Sequence, residues 1–189
     1  MIELDHVLVA VDGLAAGARW FEQEHGLESY EGGAHPAWGT ANRIVPLGAA
    51  YIELISAVDE STARDSPFGK RVLEAADRQL LGWAVRGDIR EIGGRLSLPV
   101  AEGSRRTADG RTLRWRFAGL EQSAAEPFLP FFIEWEAGTP LPGEGGTARL
   151  ERLELQGDAE RLAAWLGEHQ LPIVVTPGPP AVIGFQLRR

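Results

Sequence analysis

Tyr51-Ile52-Glu53-Leu54-Ile55 is the stretch that decides the fold. Side chains alternate between faces along a strand, so a carboxylate sits here among residues that build a core. A charge in that setting needs a partner or a task. Two further stretches have the same character. Leu4-Asp5-His6-Val7-Leu8-Val9 opens the chain as a strand carrying a histidine, and Phe131-Phe132-Ile133-Glu134-Trp135 is a strand carrying a second carboxylate. We read the three strands as walls of one cup, with His6, Glu53 and Glu134 pointing into it.

Working outward, the first strand breaks at Asp12-Gly13, where Asp12 is expected to cap a helix over 14–25 that ends at His25-Gly26. A short strand near Leu27–Tyr30, a loop over 32–39, and strands Thr40–Pro46 and Ala50–Ser56 follow, in the order β-α-β-β-β. Ser66-Pro67 starts a connecting helix that runs to about Asp77. The order then repeats: strand 80–86, a helix capped by Asp88, strand Leu98–Arg105, a hairpin turn at Ala108-Asp109-Gly110, strand Thr112–Phe117, a polar loop and strand 131–136. Strand 148–156, helix 158–168 and strands 171–176 and 181–187 form a shorter β-α-β-β piece. The expected fold is α+β. Paired βαβββ modules over 1–58 and 80–137 form a curved mixed sheet cup with helices outside, joined by a connection over 59–79, and a partial module spans 147–189.

The alternation assigns faces. Val7, Val9 and Val11 form the helix-packing set and leave His6 and Leu8 opposite. Ile52 and Leu54 likewise leave Tyr51, Glu53 and Ile55 on the face shared with His6. In the second unit Phe131, Ile133 and Trp135 are read as the packing set, with Phe132, Glu134 and Glu136 in the cup. Leu113, Trp115 and Phe117 are read as packing, with Arg114 and Arg116 in the cup.

The chain of 189 residues is long enough for a sizeable core, and its net charge of −8 argues against nucleic acid and anionic membrane surfaces as partners. It has no cysteine, which excludes disulfides, zinc–thiolate sites and thiol nucleophiles. Neither a membrane span nor a signal peptide is evident, and a cytoplasmic location is expected. Lys70 is the single lysine, against eighteen arginines, a bias expected of a GC-rich bacterial coding sequence. No phosphate loop and no GxSxG elbow occur.

Two β-α-β-β-β units, a first-strand histidine and last-strand glutamates resemble the vicinal oxygen chelate superfamily. The runs LDHVLVAV, GGAHPAWGTANR, YIELI and FFIEW resemble more narrowly the bacterial glyoxalase-like domain proteins. By that resemblance His6, Glu53 and Glu134 match three ligand positions for one divalent metal (Fe, Mn, Ni or Zn). The fourth position falls near Gly82-Trp83-Ala84, where no side chain can ligate. No organic cofactor is implied. One glutamate, Glu134, is expected to serve as base, and His35, in a loop able to close over the cup, as base or replacement ligand. The other reading of His35 is a turn histidine bonded to nearby backbone. Trp38, Asn42, Tyr51, Arg114, Arg116 and Phe132 are the candidate substrate contacts.

Two functions follow from these expectations. One is a small-molecule enzyme with metal-assisted lyase, isomerase or dioxygenase chemistry. The other is a metal-free small-molecule binding or drug-sequestering protein. In the latter Glu53 pairs with His6, and Arg114 or Arg116 pairs with Glu134 or Glu136 or binds a carboxylate ligand. A homodimer is a further implication of the resemblance.

Overall fold

A computed structural model of the chain describes residues 1–107 and 110–189, so part of the expected turn at Ala108-Asp109-Gly110 lies outside the described residues. The first half runs β1 (Glu3–Ala10), α1 (Leu14–His25), β2 (Tyr30–His35), β3 (Thr40–Leu47) and β4 (Ala50–Ala57). Two short helices, α2 (Glu60–Asp65) and α3 (Pro67–Glu74), lead to the second half. That half comprises β5 (Leu80–Arg86), α4 (Ile89–Leu96), β6 (Ala101–Arg106), β7 (Thr112–Ala118), α5 (Leu120–Ala125) and β8 (Phe131–Trp135). The chain ends with β9 (Arg149–Gln156), α6 (Ala159–Leu166), β10 (Ile173–Thr176) and β11 (Ala181–Arg188).

Local chemistry sets these boundaries. Gly26 takes the left-handed conformation that closes α1. Ser66 accepts a bond from the Gly69 amide at 3.2 Å with Pro67 in the first turn of α3, and Asp88 and Asp158 cap α4 and α6. The cap of α1 differs from expectation: it is Gly13, with no side-chain bond. The stretch expected as a loop over 32–39 is in large part strand β2. The polar stretch at 120–125, expected as a loop, is a helix that Gly119, at φ 79°, turns the chain into, and 60–65 is a further helix capped by Asp59.

Eight strands curl into a closed mixed barrel in the order β1-β4-β3-β2-β6-β7-β8-β5, with β5 returning to β1. Strands β1 and β4 pair in parallel, with His6 opposite Tyr51 and Leu8 opposite Glu53, and β5 and β8 also pair in parallel. Strands β1 and β5 are antiparallel. The seam between halves is narrow: β2 meets β6 through the pair Ala34–Arg106. Gly33 makes the closure possible, since a Cβ there would stand 2.0 Å from the Arg106 carbonyl oxygen and its φ of +147° suits glycine.

Apolar residues divide between the two surfaces of this wall. The outer face carries the larger core. Val7, Val9, Ile52, Leu54, Trp83 and Phe132 pack under α1, α4 and α6, together with the sheet β10-β9-β11. The Trp83 indole N–H is satisfied by the Phe128 carbonyl at 3.0 Å. The inner face carries a second, smaller cluster that includes Leu8, Ile55, Phe68, Trp115, Phe131 and Ile133. No helix among the described residues is long and apolar enough to cross a membrane.

Candidate functional site

The inner cluster surrounds a cavity whose free volume, mouth included, is about 460 Å³. Its polar lining is His6 from β1, His35 from β2, Asn42 from β3, Tyr51 and Glu53 from β4, and Arg105 from β6. Its apolar walls are Trp38, Phe68, Trp115, Phe131, Ile133 and Trp135, among others. A concave, mostly apolar space with a few convergent polar groups is the usual form of a small-molecule site.

His6 is held on three sides. Its Nδ1 lies 2.7 Å from Asp5 Oδ1, its ring stacks on Tyr51 with centroids 4.7 Å apart, and the edge of Phe131 meets it at 5.4 Å. Neighbouring strand residues ordinarily point to opposite faces. Here the β1–β5 register slips between Leu4 and His6, and this bulge brings the Asp5 carboxylate beside the ring. Asp5 is 1% exposed. It accepts a bond from the Trp135 indole N–H at 3.0 Å and lies 3.7 Å from Arg86. A carboxylate so placed fixes the proton on Nδ1 and turns Nε2 towards Glu53 Oε2, at 3.4 Å. His6 therefore stands between two carboxylates. Nδ1 faces one, and Nε2 faces the other.

The other Glu53 oxygen is fixed by Asn42, whose Nδ2 donates at 2.6 Å. The Asn42 carbonyl in turn accepts from Arg105 Nη1 at 3.2 Å. This amide separates a buried carboxylate from a buried guanidinium. Gly32, the extra residue where β2 slips against β3, leaves room for the pair. A Cβ there would stand 2.1 Å from Asn42 Oδ1 and 2.6 Å from Arg105 Nη1.

His35 is buried with Nδ1 3.1 Å from the Thr40 hydroxyl, and its ring lies 5.4 Å from that of Trp38. Desolvation lowers its pKa to about 4, with the Glu53 charge opposing and the Arg105 and His6 charges assisting. It is neutral at pH 7, able to hydrogen-bond but poorly suited to take a proton there. The phenol of Tyr51 is pushed well above 10 by burial, with Asp5 and Glu53 adding to the shift, and stays protonated.

The structure brings His6, His35, Trp38, Asn42, Tyr51 and Glu53 to one cavity. It does not bring the expected residues of the second half there. In β7 and β8 the faces are the reverse of those expected: Trp115, Phe117, Phe131, Ile133 and Trp135 turn inward. Phe132 is fully buried in the outer core against Trp165. Arg114, Arg116 and Glu134 lie together along the outer surface, where Arg116 Nη2 donates to Glu134 Oε2 at 2.8 Å. The physical reason is that β8 carries aromatic residues on both faces, so alternation does not say which face packs outside, and in β7 the face bearing Trp115 and Phe117 walls the cup. Asp5 and Arg105 are site residues that the pattern did not single out. Arg105 lies in the run Ser104-Arg105-Arg106, which reads as a solvated hairpin end, and no sequence signal separates it from Arg106.

These positions bear on the metal set His6, Glu53 and Glu134. Glu134 is on the far side of the wall, and the described residues contain no group of three or more His, Asp or Glu side chains able to hold an ion. His6 and Glu53 supply two donors, and a guanidinium stands one amide away. This donor set does not fit the expected divalent centre.

The chain matches the family described as glyoxalase-like domain over residues 4–170. No curated protein matches it. Among solved structures it is similar to a hypothetical protein from Staphylococcus aureus, with a TM-score of 0.75 and 16% identity, covering 96% of this chain and 88% of that one. It is also similar to a variant of the Streptomyces coelicolor methylmalonyl-CoA epimerase in complex with 2-nitronate-propionyl-CoA (TM-score 0.52, 16% identity, 72% of this chain and 97% of that one). A methylmalonyl-CoA epimerase in complex with methylmalonyl-CoA and NH4+ is similar too (TM-score 0.51, 17% identity, 71% and 94%). At these identities the likeness is one of fold. With the family match spanning most of its length, the chain belongs to the glyoxalase-like domain family.

Proposed function

We propose that this protein is a small-molecule enzyme that moves a proton at carbon next to a carbonyl group, an isomerase or lyase type of step, in the cup closed by β1 and β4. The observation that carries the reading is the buried relay Asp5–His6–Glu53, with Nδ1 of His6 at 2.7 Å from one carboxylate and Nε2 at 3.4 Å from the other. Glu53, steadied by Asn42, takes the proton from carbon. With both ring nitrogens of His6 protonated and Glu53 ionised at the start, the Nε2–H of His6 is given to the carbonyl oxygen, so the substrate passes through a neutral enol and no net charge is created in an apolar cup. Return of a proton to the opposite face of the carbon gives the isomer. Departure of a group from the neighbouring carbon would give the lyase outcome.

The fold neighbour crystallised with methylmalonyl-CoA supports this reading, since that ligand has an acidic carbon beside carbonyl groups. The aromatic walls exclude water from the reacting carbon and supply contact area to hold it. The test is solvent exchange. In D2O, NMR should detect loss of α-proton signal from members of a panel of small oxo acids and esters with wild type. His6→Ala and Glu53→Gln should each lower the rate by about 10²-fold or more, the usual worth of a positioned acid or base. A second reading, a binding protein without turnover, is the outcome in which panel members bind but no proton exchanges.

A further inference from the structure

Arg105 is the group in the cup whose position the proton relay does not explain. It is 3% exposed, and its Nε has no hydrogen-bond partner. Its Nη1 is spent on the Asn42 carbonyl, its guanidinium also lies beside the Tyr30 hydroxyl, and no carboxylate among the described residues lies within ion-pair distance of it. Glu53 is reached through Asn42 alone, and Asp5 is already taken up by His6, Trp135 and Arg86. Burial of a charge without a counter-ion is costly, and the group cannot shed its proton to escape. The chain nonetheless makes room for it, with a glycine at position 32 where any side chain would strike both Arg105 and Asn42.

We propose that Arg105 is the anion-recognition residue of the cup, and that the ligand is a small organic acid whose carboxylate meets this guanidinium while an aryl or branched-alkyl body fills the aromatic walls. The inference rests on reading the cup as a substrate site and names the substrate class. The guanidinium fork suits a planar carboxylate. Trp38, Trp115 and Trp135 provide flat apolar surfaces for its body. Anchored there, the acid shares the cavity with Glu53 and His6, which also line it.

The test measures binding rather than turnover, so it separates this inference from the proton-transfer reading. Phenylacetate and isovalerate, each paired with its neutral amide, are titrated into the full-length protein by calorimetry and by quenching of tryptophan fluorescence. The expected result is that each acid binds at least about tenfold more tightly than its amide, the worth of about 1.4 kcal/mol of charge-assisted bonding. Arg105→Met should erase the preference, and Arg105→Lys, which keeps the charge but loses the fork, should retain part of it. Far-UV circular dichroism establishes that each variant is folded. If Arg105→Met does not fold, the wild-type preference and the Arg105→Lys result decide. Equal binding of acid and amide, an unchanged preference in Arg105→Met, or no binding of either acid up to about 10 mM each overturns the proposal. Acid preference without proton exchange leaves it standing and removes the proton-transfer reading. Proton exchange with neutral ligands only does the reverse.

Discussion

His35 ties the stability of the fold to pH, and its replacement by glutamine tests how the cup is built. The ring is buried and lowered from the ordinary 6.5 to about 4, chiefly by desolvation. The unfolded chain therefore binds this proton more readily than the native one, and stability rises with pH between those values. The contribution is complete above pH 6.5 and is lost as pH falls from there towards 4. At about 1.4 kcal/mol per pH unit, the whole effect is about 3 kcal/mol, with about 2 kcal/mol of it gone by pH 4.5. His35→Gln removes the titration and keeps a polar group near the Thr40 hydroxyl. Urea unfolding of both proteins at pH 7 and pH 4.5 measures the effect, and other titrating groups cancel in the comparison. Wild type should lose about 2 kcal/mol more than the variant between the two pH values. Parallel losses would refute the claim that His35 is held neutral by burial.

Four further substitutions separate the inner face of the wall from the outer. Phe132→Ala should cost about 3–5 kcal/mol in chemical denaturation, because it empties a fully buried site in the outer core. Phe131→Ala should mainly weaken binding of the cup's ligands, measured by calorimetry, since that ring lines the cavity. Glu134→Gln breaks a partly exposed pair with Arg116. It should change stability by less than about 1 kcal/mol and leave proton exchange at the wild-type rate. Asp5→Asn removes the charged acceptor that sets the His6 tautomer, and exchange should fall by about 10²-fold while circular dichroism stays unchanged.

Much of the fold could be read from the sequence, and its limits are instructive. In β1 and β4 the valine, isoleucine and leucine positions form unbroken stripes, so a single polar residue such as His6 or Glu53 marks the other face. In β7 and β8 the same logic fails. FFIEW offers aromatic residues to both faces, and the cup takes Phe131, Ile133 and Trp135 while the outer core takes Phe132. A shift of one residue moves every side chain across the wall, which sends Glu134 and both arginines outside. Asp5 was hidden for another reason. It reaches His6 through a bulge, a feature set by pairing with β5 and invisible to strict alternation. Arg105 needs tertiary knowledge as well, since its burial depends on the seam at Gly32 and Gly33.

Exchange in D2O by wild type and Glu53→Gln, each with and without a chelator, tests the central claim most directly. The account predicts exchange at carbon next to a carbonyl that wild type sustains in chelator and that Glu53→Gln loses. Exchange that survives Glu53→Gln, or that chelator abolishes in wild type, would contradict it.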